Sequence, residues 1–309
     1  MQIPECADLC DSIELAAVRS GRVLSQQQLL RQFFPGSRDS RDIGLIREAL
    51  DLAHRRKKAC GGGLNYPFHV EPRSIRSEQV TGFNIYQFLL FGRSLTLGGP
   101  IQVEVLLRNF RRYFEDVVCW SFRQAGFTAE VLSEPRVFRG LHVRLVDSLH
   151  LVRDRFGESA TLKLDAISAD DNDLDVDVLA VVRPGNKECG GWPFFLIQCA
   201  TGPVNTLQSK ISEGKDTFST VWEGGFFSSH SVRGCATPDC LLTLNTRDWR
   251  RLSVHGWVLD RVRIVHLASF GQHTPLPPEV NTFWNELSAA MPDIDWQTGW
   301  QSDPANDVL

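Results

Sequence analysis

Two short runs constrain this chain more than any other part of it. Residues 173–182 read Asp-Leu-Asp-Val-Asp-Val-Leu-Ala-Val-Val, and residues 193–200 read Pro-Phe-Phe-Leu-Ile-Gln-Cys-Ala. Both are rich in β-branched and aromatic residues, which suits strands. The segment between them, Arg183 to Trp192, carries Pro184-Gly185 and Gly190-Gly191, pairs that turn a chain. An antiparallel hairpin is expected, with strands over 174–182 and 193–200. Pro193 fits because it begins its strand. Alternation sets Asp173, Asp175 and Asp177 on one face and Val176, Val178, Ala180 and Val182 on the other. Pairing Val182 with Pro193 puts Val181 opposite Phe194, Leu179 opposite Leu196 and Asp177 opposite Gln198, with β-carbons about 5 Å apart. A slip of one residue would undo this pairing. A carboxylate and a carboxamide then meet at a core-facing position, which is costly unless something satisfies them. A divalent cation would, since Mg²⁺ takes one or two carboxylates, a carbonyl-type oxygen and waters. Asp173 and Asp175 read more simply as acids leading into the strand, and Gln198 has a plain alternative as a satisfied core amide.

The surroundings point to an α/β protein. Val103, Leu106, Leu107, Phe110, Phe114, Val117, Val118 and Phe122 recur at three and four, predicting a long helix that ends at Gly126. A strand over 127–132, a helix over 141–156 closed by Gly157 and a helix between about 205 and 220 follow. Further strands are expected around 240–245 and 262–268, and a last helix near 278–291. The first sixty residues read as three helices. One carries Leu9, Ile13 and Val18 and ends near Gly21, one runs from Gln26 to Phe34 behind Ser25 as N-cap, and one runs from Asp42 to Lys58. Cys60-Gly61-Gly62-Gly63 breaks the pattern, and an apolar stretch, Ile85 to Leu90, comes after it. Gly98-Gly99-Pro100 marks the expected boundary between an α-helical recognition or regulatory domain (1–97) and a second domain (98–309).

Composition excludes more than it identifies. The 309 residues are 42% hydrophobic, enough for a sizeable core, and no apolar run reaches the length of a membrane helix. Met1 to Asp11 lacks a basic start and apolar block, so no signal peptide and a cytoplasmic location are expected. The net charge of −4 leaves nucleic-acid binding to local clusters: Arg55-Arg56-Lys57-Lys58, and Arg108, Arg111 and Arg112. Each cluster also reads as a solvated helix face. Eight cysteines in such a chain form no disulfide scaffold. Cys6 and Cys10 read as buried small hydrophobes. Cys235 and Cys240, with His230 and His255, fit no common zinc spacing. A Gly-x-Ser-x-Gly elbow and a P-loop are both absent from the sequence.

The hairpin residues resemble the PD-(D/E)xK nuclease superfamily, whose restriction-endonuclease-like core runs helix–strand–strand–strand–helix–strand. There an Asp on one strand and a Glu or Gln on the next bind Mg²⁺. A Lys two residues on assists the attacking water, and a first-helix Glu often completes the site. The resemblance spans roughly residues 100 to 270. It matches Asp177 and Gln198 to the strand positions and Glu115, in Tyr113-Phe114-Glu115, to the helix acid. Two residues after Gln198 stands Ala200, not Lys. In some branches the lysine has moved to the following helix, where Lys210 stands with Lys215 behind it.

The resemblance implies a mixed sheet flanked by helices and Mg²⁺- or Mn²⁺-dependent hydrolysis of DNA phosphodiesters. Asp177, Gln198 and Glu115 would hold metal, Lys210 would assist, and Arg108 and Arg112 would track phosphates. A partner protein subunit acting through the N-terminal segment, an oligomer, and kinship with little-characterised bacterial proteins, some in phage defence, are compatible with it. A rival reading is a nuclease fold without activity that binds nucleic acid or a protein partner, which Ala200 favours. Glu115 could simply pair with Arg111 and Arg112, and Lys210 could be an ordinary surface lysine.

Overall fold

The computed structural model describes residues 5–96, 103–132, 137–138, 141–142, 145–167, 174–182, 193–212, 215–224, 231–271 and 274–291. They fall into two compact units: 2–111 with 238–244 and 281–309, and 112–237 with 245–280. Asp173, the loop Arg183 to Trp192, Gly98-Gly99-Pro100 and His230 lie outside the described residues. No described helix is long and apolar enough to cross a membrane.

In chain order, the first unit begins with α1 (Glu5–Ser20), β1 (Leu24–Ser25), α2 (Gln26–Phe33), α3 (Ser40–Ala59), β2 (Phe68–Glu71), β3 (Ser74–Ser77) and α4 (Ile85–Thr96). Ser25 starts α2 as expected. Its hydroxyl accepts the Gln28 N–H at 3.3 Å, and Gln28 Oε1 accepts the Ser25 N–H at 2.8 Å, a reciprocal cap. The expected helix from Asp42 starts two residues earlier, behind Asp39, whose carboxylate accepts the Arg41 N–H at 2.9 Å. The apolar stretch at Ile85 is a helix buried on nearly all sides. The small antiparallel sheet β1-β3-β2 has no sequence signal, because strands of two to four residues are too short to show alternation.

This unit holds a buried ionic network that overturns one expectation. Arg56 is not part of a solvated basic run: it is 1% exposed and donates to Asp11 at 2.5 Å and to Glu14 at 3.0 Å. The hydroxyls of Tyr66 (2.6 Å) and Tyr86 (2.9 Å) also donate to Glu14, which is fully buried. Cys10 lies against the same carboxylate at 3.7 Å, so it borders a polar network rather than purely apolar neighbours. Burial pushes its thiol well above the ordinary range, and Arg56 opposes that shift.

The chain continues through α5 (Val103–Gln124), β4 (Phe127–Val131), β5 (Val137–Phe138), β6 (Leu141–His142), α6 (Leu145–Phe156), β7 (Thr161–Leu162), β8 (Val178–Val182) and β9 (Phe194–Cys199). After these come α7 (Leu207–Ser212), α8 (Lys215–Thr220), β10 (Trp222–Glu223), β11 (Ser231–Ala236), α9 (Thr246–Ser253), β12 (Trp257–Leu259), α10 (Arg261–Ala268) and α11 (Pro278–Ala290). The second unit is built on a five-stranded mixed sheet of order β12-β11-β9-β8-β4. Strands β4, β8 and β9 form an antiparallel meander, and β11 and β12 run parallel to β9. One face of the hairpin, Leu179, Val181, Phe194 and Leu196, packs into an apolar cluster with Leu149, Phe156, Phe218 and Trp222. On the other face, Phe195 meets Phe122 of α5 at 6.4 Å between ring centroids.

Several elements differ from expectation. The strands placed at 240–245 and 262–268 are absent: the first is loop and the second is α10. Val262 to Leu267 has strand-like composition, but Asp260 just before it accepts the Arg263 N–H at 3.2 Å and caps a helix. The true strand β11 is masked in sequence by Gly234, which has low strand propensity. Glycine is required there, since a Cβ would come within 2.6 Å of Ile197 Cδ1. The helix expected from residue 141 starts at Leu145, because Leu141–His142 pairs with Val137–Phe138 as a ladder.

Candidate metal centre

The expected hairpin register is the observed one. Leu179 pairs with Leu196 and Val181 with Phe194, and the ladder ends at the pair Val178–Ile197, one residue short of Asp177 and Gln198. The strand, however, starts at Val178 rather than 174. Leu174 and Asp175 have φ of 56° and 57°, the left-handed region, so the Asp-Leu-Asp-Val-Asp alternation is not a strand face. Asp175 consequently stands exposed, accepting from Thr217 Oγ1 of α8 at 3.3 Å. Left-handed non-glycine residues cost on the order of 1–3 kcal/mol each. Leu174 is held there by burial at 3% exposure in the apolar cluster.

That turn shapes Asp177. Its N–H donates to the Ile197 carbonyl at 3.1 Å, and its carbonyl accepts the Leu132 N–H at 2.8 Å. Beyond this point the ladder stops, and Asp177 Oδ2 accepts the Cys199 N–H at 2.5 Å. A charge-assisted bond to backbone thus fixes the carboxylate, which is 9% exposed. On β9, Gln198 Oε1 is buried and has no hydrogen-bond partner among the described residues. An orphaned buried carbonyl costs about 1–3 kcal/mol.

Glu115 sits half-buried on α5. Burial first, then the carboxylates of Asp177 and Glu115, holds the Cys199 thiol well above its ordinary range, so both acids act on the end of β9. Lys210 is half-buried on α7, a helix that packs on β9 and β11. Ala200 is 6% exposed, and its N–H donates to the Ala236 carbonyl at 2.8 Å. Arg108 and Arg112 are exposed on α5, and Arg112 lies over the Tyr113 ring at 5.3 Å. The side chain of Lys215 lies outside the described residues. The structure therefore brings Asp177 and Glu115 to the end of β9, the strand that carries Gln198, and puts Lys210 on the adjoining helix.

Oxygen donors of this kind, a carboxylate, a carboxamide and a second carboxylate, suit Mg²⁺ or Mn²⁺ rather than zinc. Cys235 and Cys240 are buried free thiols, and no group of three or more His, Cys, Asp or Glu side chains among the described residues is arranged for a metal.

Sequence reasoning missed Asp116, one residue past Glu115. Burial pushes its carboxyl up to about 6; Arg112 and Arg123 oppose this and Glu279 adds to it. The folded state therefore binds this proton more tightly than the unfolded chain. Stability attributable to Asp116 falls as pH rises from about 4 to about 6, and the cost is complete above that. Asp116→Asn should be more stable than the unaltered protein at pH 7.5, by up to about 3 kcal/mol, with the advantage gone near pH 4. Urea unfolding of both proteins at the two pH values checks this; equal stability at pH 7.5 would exclude the buried acid.

Compared with known proteins, the chain matches no family model, no curated protein and no solved structure.

Proposed function

We propose that this protein is a Mg²⁺- or Mn²⁺-dependent nuclease of the PD-(D/E)xK kind that hydrolyses DNA phosphodiester bonds. The observation that carries the reading is a backbone-fixed Asp177 at the end of β9, where Glu115 also acts, on the strand that holds an orphaned Gln198 oxygen. With α6, α8 and the short strands between them set aside, α5, β4, β8, β9, α7 and β11 follow the helix–strand–strand–strand–helix–strand order that the resemblance implies, which supports it. Asp177, Gln198 and Glu115 would hold the cation, which supplies Lewis-acid stabilisation and a water of lowered pKa. The Cys199 N–H keeps the Asp177 carboxylate oriented before any ligand arrives. Lys210 would orient the attacking water or offset the charge that develops on the phosphate oxygens. Arg108 and Arg112 meet the phosphate backbone without reading sequence. A regulating partner subunit, an oligomer and a role in bacterial phage defence remain part of this reading by analogy alone.

The rival, an inactive nuclease fold that binds nucleic acid or a protein partner, draws on Ala200, buried where the family lysine stands. Incubating the purified chain with supercoiled and linear DNA, with Mg²⁺ or Mn²⁺ and with EDTA, separates the two. Cutting that needs the cation supports the nuclease. DNA binding without cutting at any cation concentration would leave the inactive module.

A further inference from the structure

Outside the metal centre, the second unit has a cavity of about 490 Å³ beside edge strand β12, between α9 and α10. Its walls include Trp249, Trp257, Arg263, His266 and Leu267, and none of its described lining residues is a carboxylate. Trp257 is 41% exposed. One face of its indole is stacked on Phe195 at 4.7 Å and 19°, across the gap left by the missing side chain of Gly234. The ring is therefore rigid on one side and available on the other.

Arg263 is equally fixed. Its guanidinium lies 4.3 Å from the centroid of Trp249 and donates to Asp260 Oδ1 at 2.8 Å. Asp260 is fully buried and caps α10, so the arginine is held from two directions while remaining 39% exposed. Helix α9 adds exposed Arg247, Arg250 and Arg251 against a single acid, Asp248. Trp257 and Phe270 are the exposed Trp and Phe side chains among the described residues, and Phe270 packs edge-on to His266 at 5.2 Å.

A flat aromatic platform costs free energy in water unless it is meant to be covered, and cationic groups at its rim select an anionic partner. Among anions, a nucleotide brings both a π-face and a phosphate, the combination that single-strand binding sites recognise. Resting on the nuclease reading for its choice of nucleic acid, we infer that this cavity stacks an unpaired base of a single strand on Trp257, with the adjoining phosphate at Arg263 and His266. The substrate is then a strand with unpaired bases, such as a single-stranded end or a locally opened duplex.

Fluorescence anisotropy with a labelled single-stranded oligodeoxynucleotide tests this in EDTA, where no cutting can occur. Trp257→Ala should weaken binding about tenfold, while Trp257→Phe, which keeps a ring on Phe195, should largely restore it. Arg263→Gln leaves the aromatic platform in place and should lower the salt dependence by about one counterion. Fully paired duplex of the same length should bind less tightly, and a free mononucleotide should compete only weakly. The inference fails if both variants bind as the unaltered chain does, or if that chain binds no single strand at about 100 µM, the weak end of non-specific affinity. It also fails if duplex is preferred. Metal-dependent cutting that persists alongside any of these results would leave the nuclease reading standing without it.

Discussion

Replacing Arg56 with methionine should lower the unfolding free energy by about 3–5 kcal/mol. The guanidinium is 1% exposed and is the cation shared by Asp11 and Glu14, and two tyrosine hydroxyls also point at Glu14. Methionine fills similar volume, so the loss reports electrostatics more than a cavity. It removes the Arg56 charge from two buried carboxylates, which costs far more than breaking an exposed pair would. Urea unfolding should show a lower midpoint, with hydrogen exchange accelerated first in α1, α3 and α4. Neutralising the acids as well (Arg56→Met with Asp11→Asn and Glu14→Gln) should recover much of the loss, because a fully neutral core needs no cation. A single variant within about 1 kcal/mol of the unaltered protein would mean that the network is not closed to water.

This network was legible in part, through a signal easily passed over. On α3, Ile46, Ala49, Ala53 and Arg56 follow one another at three and four, so Arg56 continues the buried stripe rather than the solvated one. On α1, Cys10, Ile13, Glu14 and Ala17 do the same for Glu14. An acid and a base, each on the apolar stripe of its own helix, announce a buried pair. Reading Arg55 to Lys58 as one basic block hid that.

The hairpin shows the opposite balance. Its register followed from pairing Val182 with Pro193 across the turn, and the observed pairs Leu179–Leu196 and Val181–Phe194 agree with that choice. The break at Leu174 and Asp175 could not be read, since leucine rarely takes a positive φ and the alternating acids imitate a strand. Tertiary packing of Leu174 decides that conformation, and it is what frees the Cys199 N–H for Asp177. The helix α10 was misread for a related reason. Its β-branched residues are buried, and burial rewards Val and Ile in either structure. The cap at Asp260 was the better guide.

The sharpest test of the proposed metal centre follows from the bond to Cys199. Asp177→Asn should reduce Mg²⁺-dependent cleavage by about a thousandfold or more, equivalent to roughly 4 kcal/mol of transition-state stabilisation. Asparagine can still accept the Cys199 N–H through its amide oxygen, so the fold should survive and the loss should be chemical. Gln198 then reports the cation without any assay of activity. Gln198→Leu removes an orphaned buried oxygen and should stabilise the metal-free protein by about 1–3 kcal/mol while abolishing the rise in melting temperature that Mg²⁺ produces. Gln198→Glu places another carboxylate next to Cys199, at the strand end where Asp177 is bound. It should destabilise the metal-free protein, and Mg²⁺ should restore it at lower concentration than the unaltered chain requires, because ligand charge raises affinity. If Mg²⁺ shifts the melting of the unaltered, Asp177→Asn and Gln198→Glu proteins equally, the cation binds elsewhere. The polar pair at the end of β9 would then be a structural feature of the sheet and not a catalytic one.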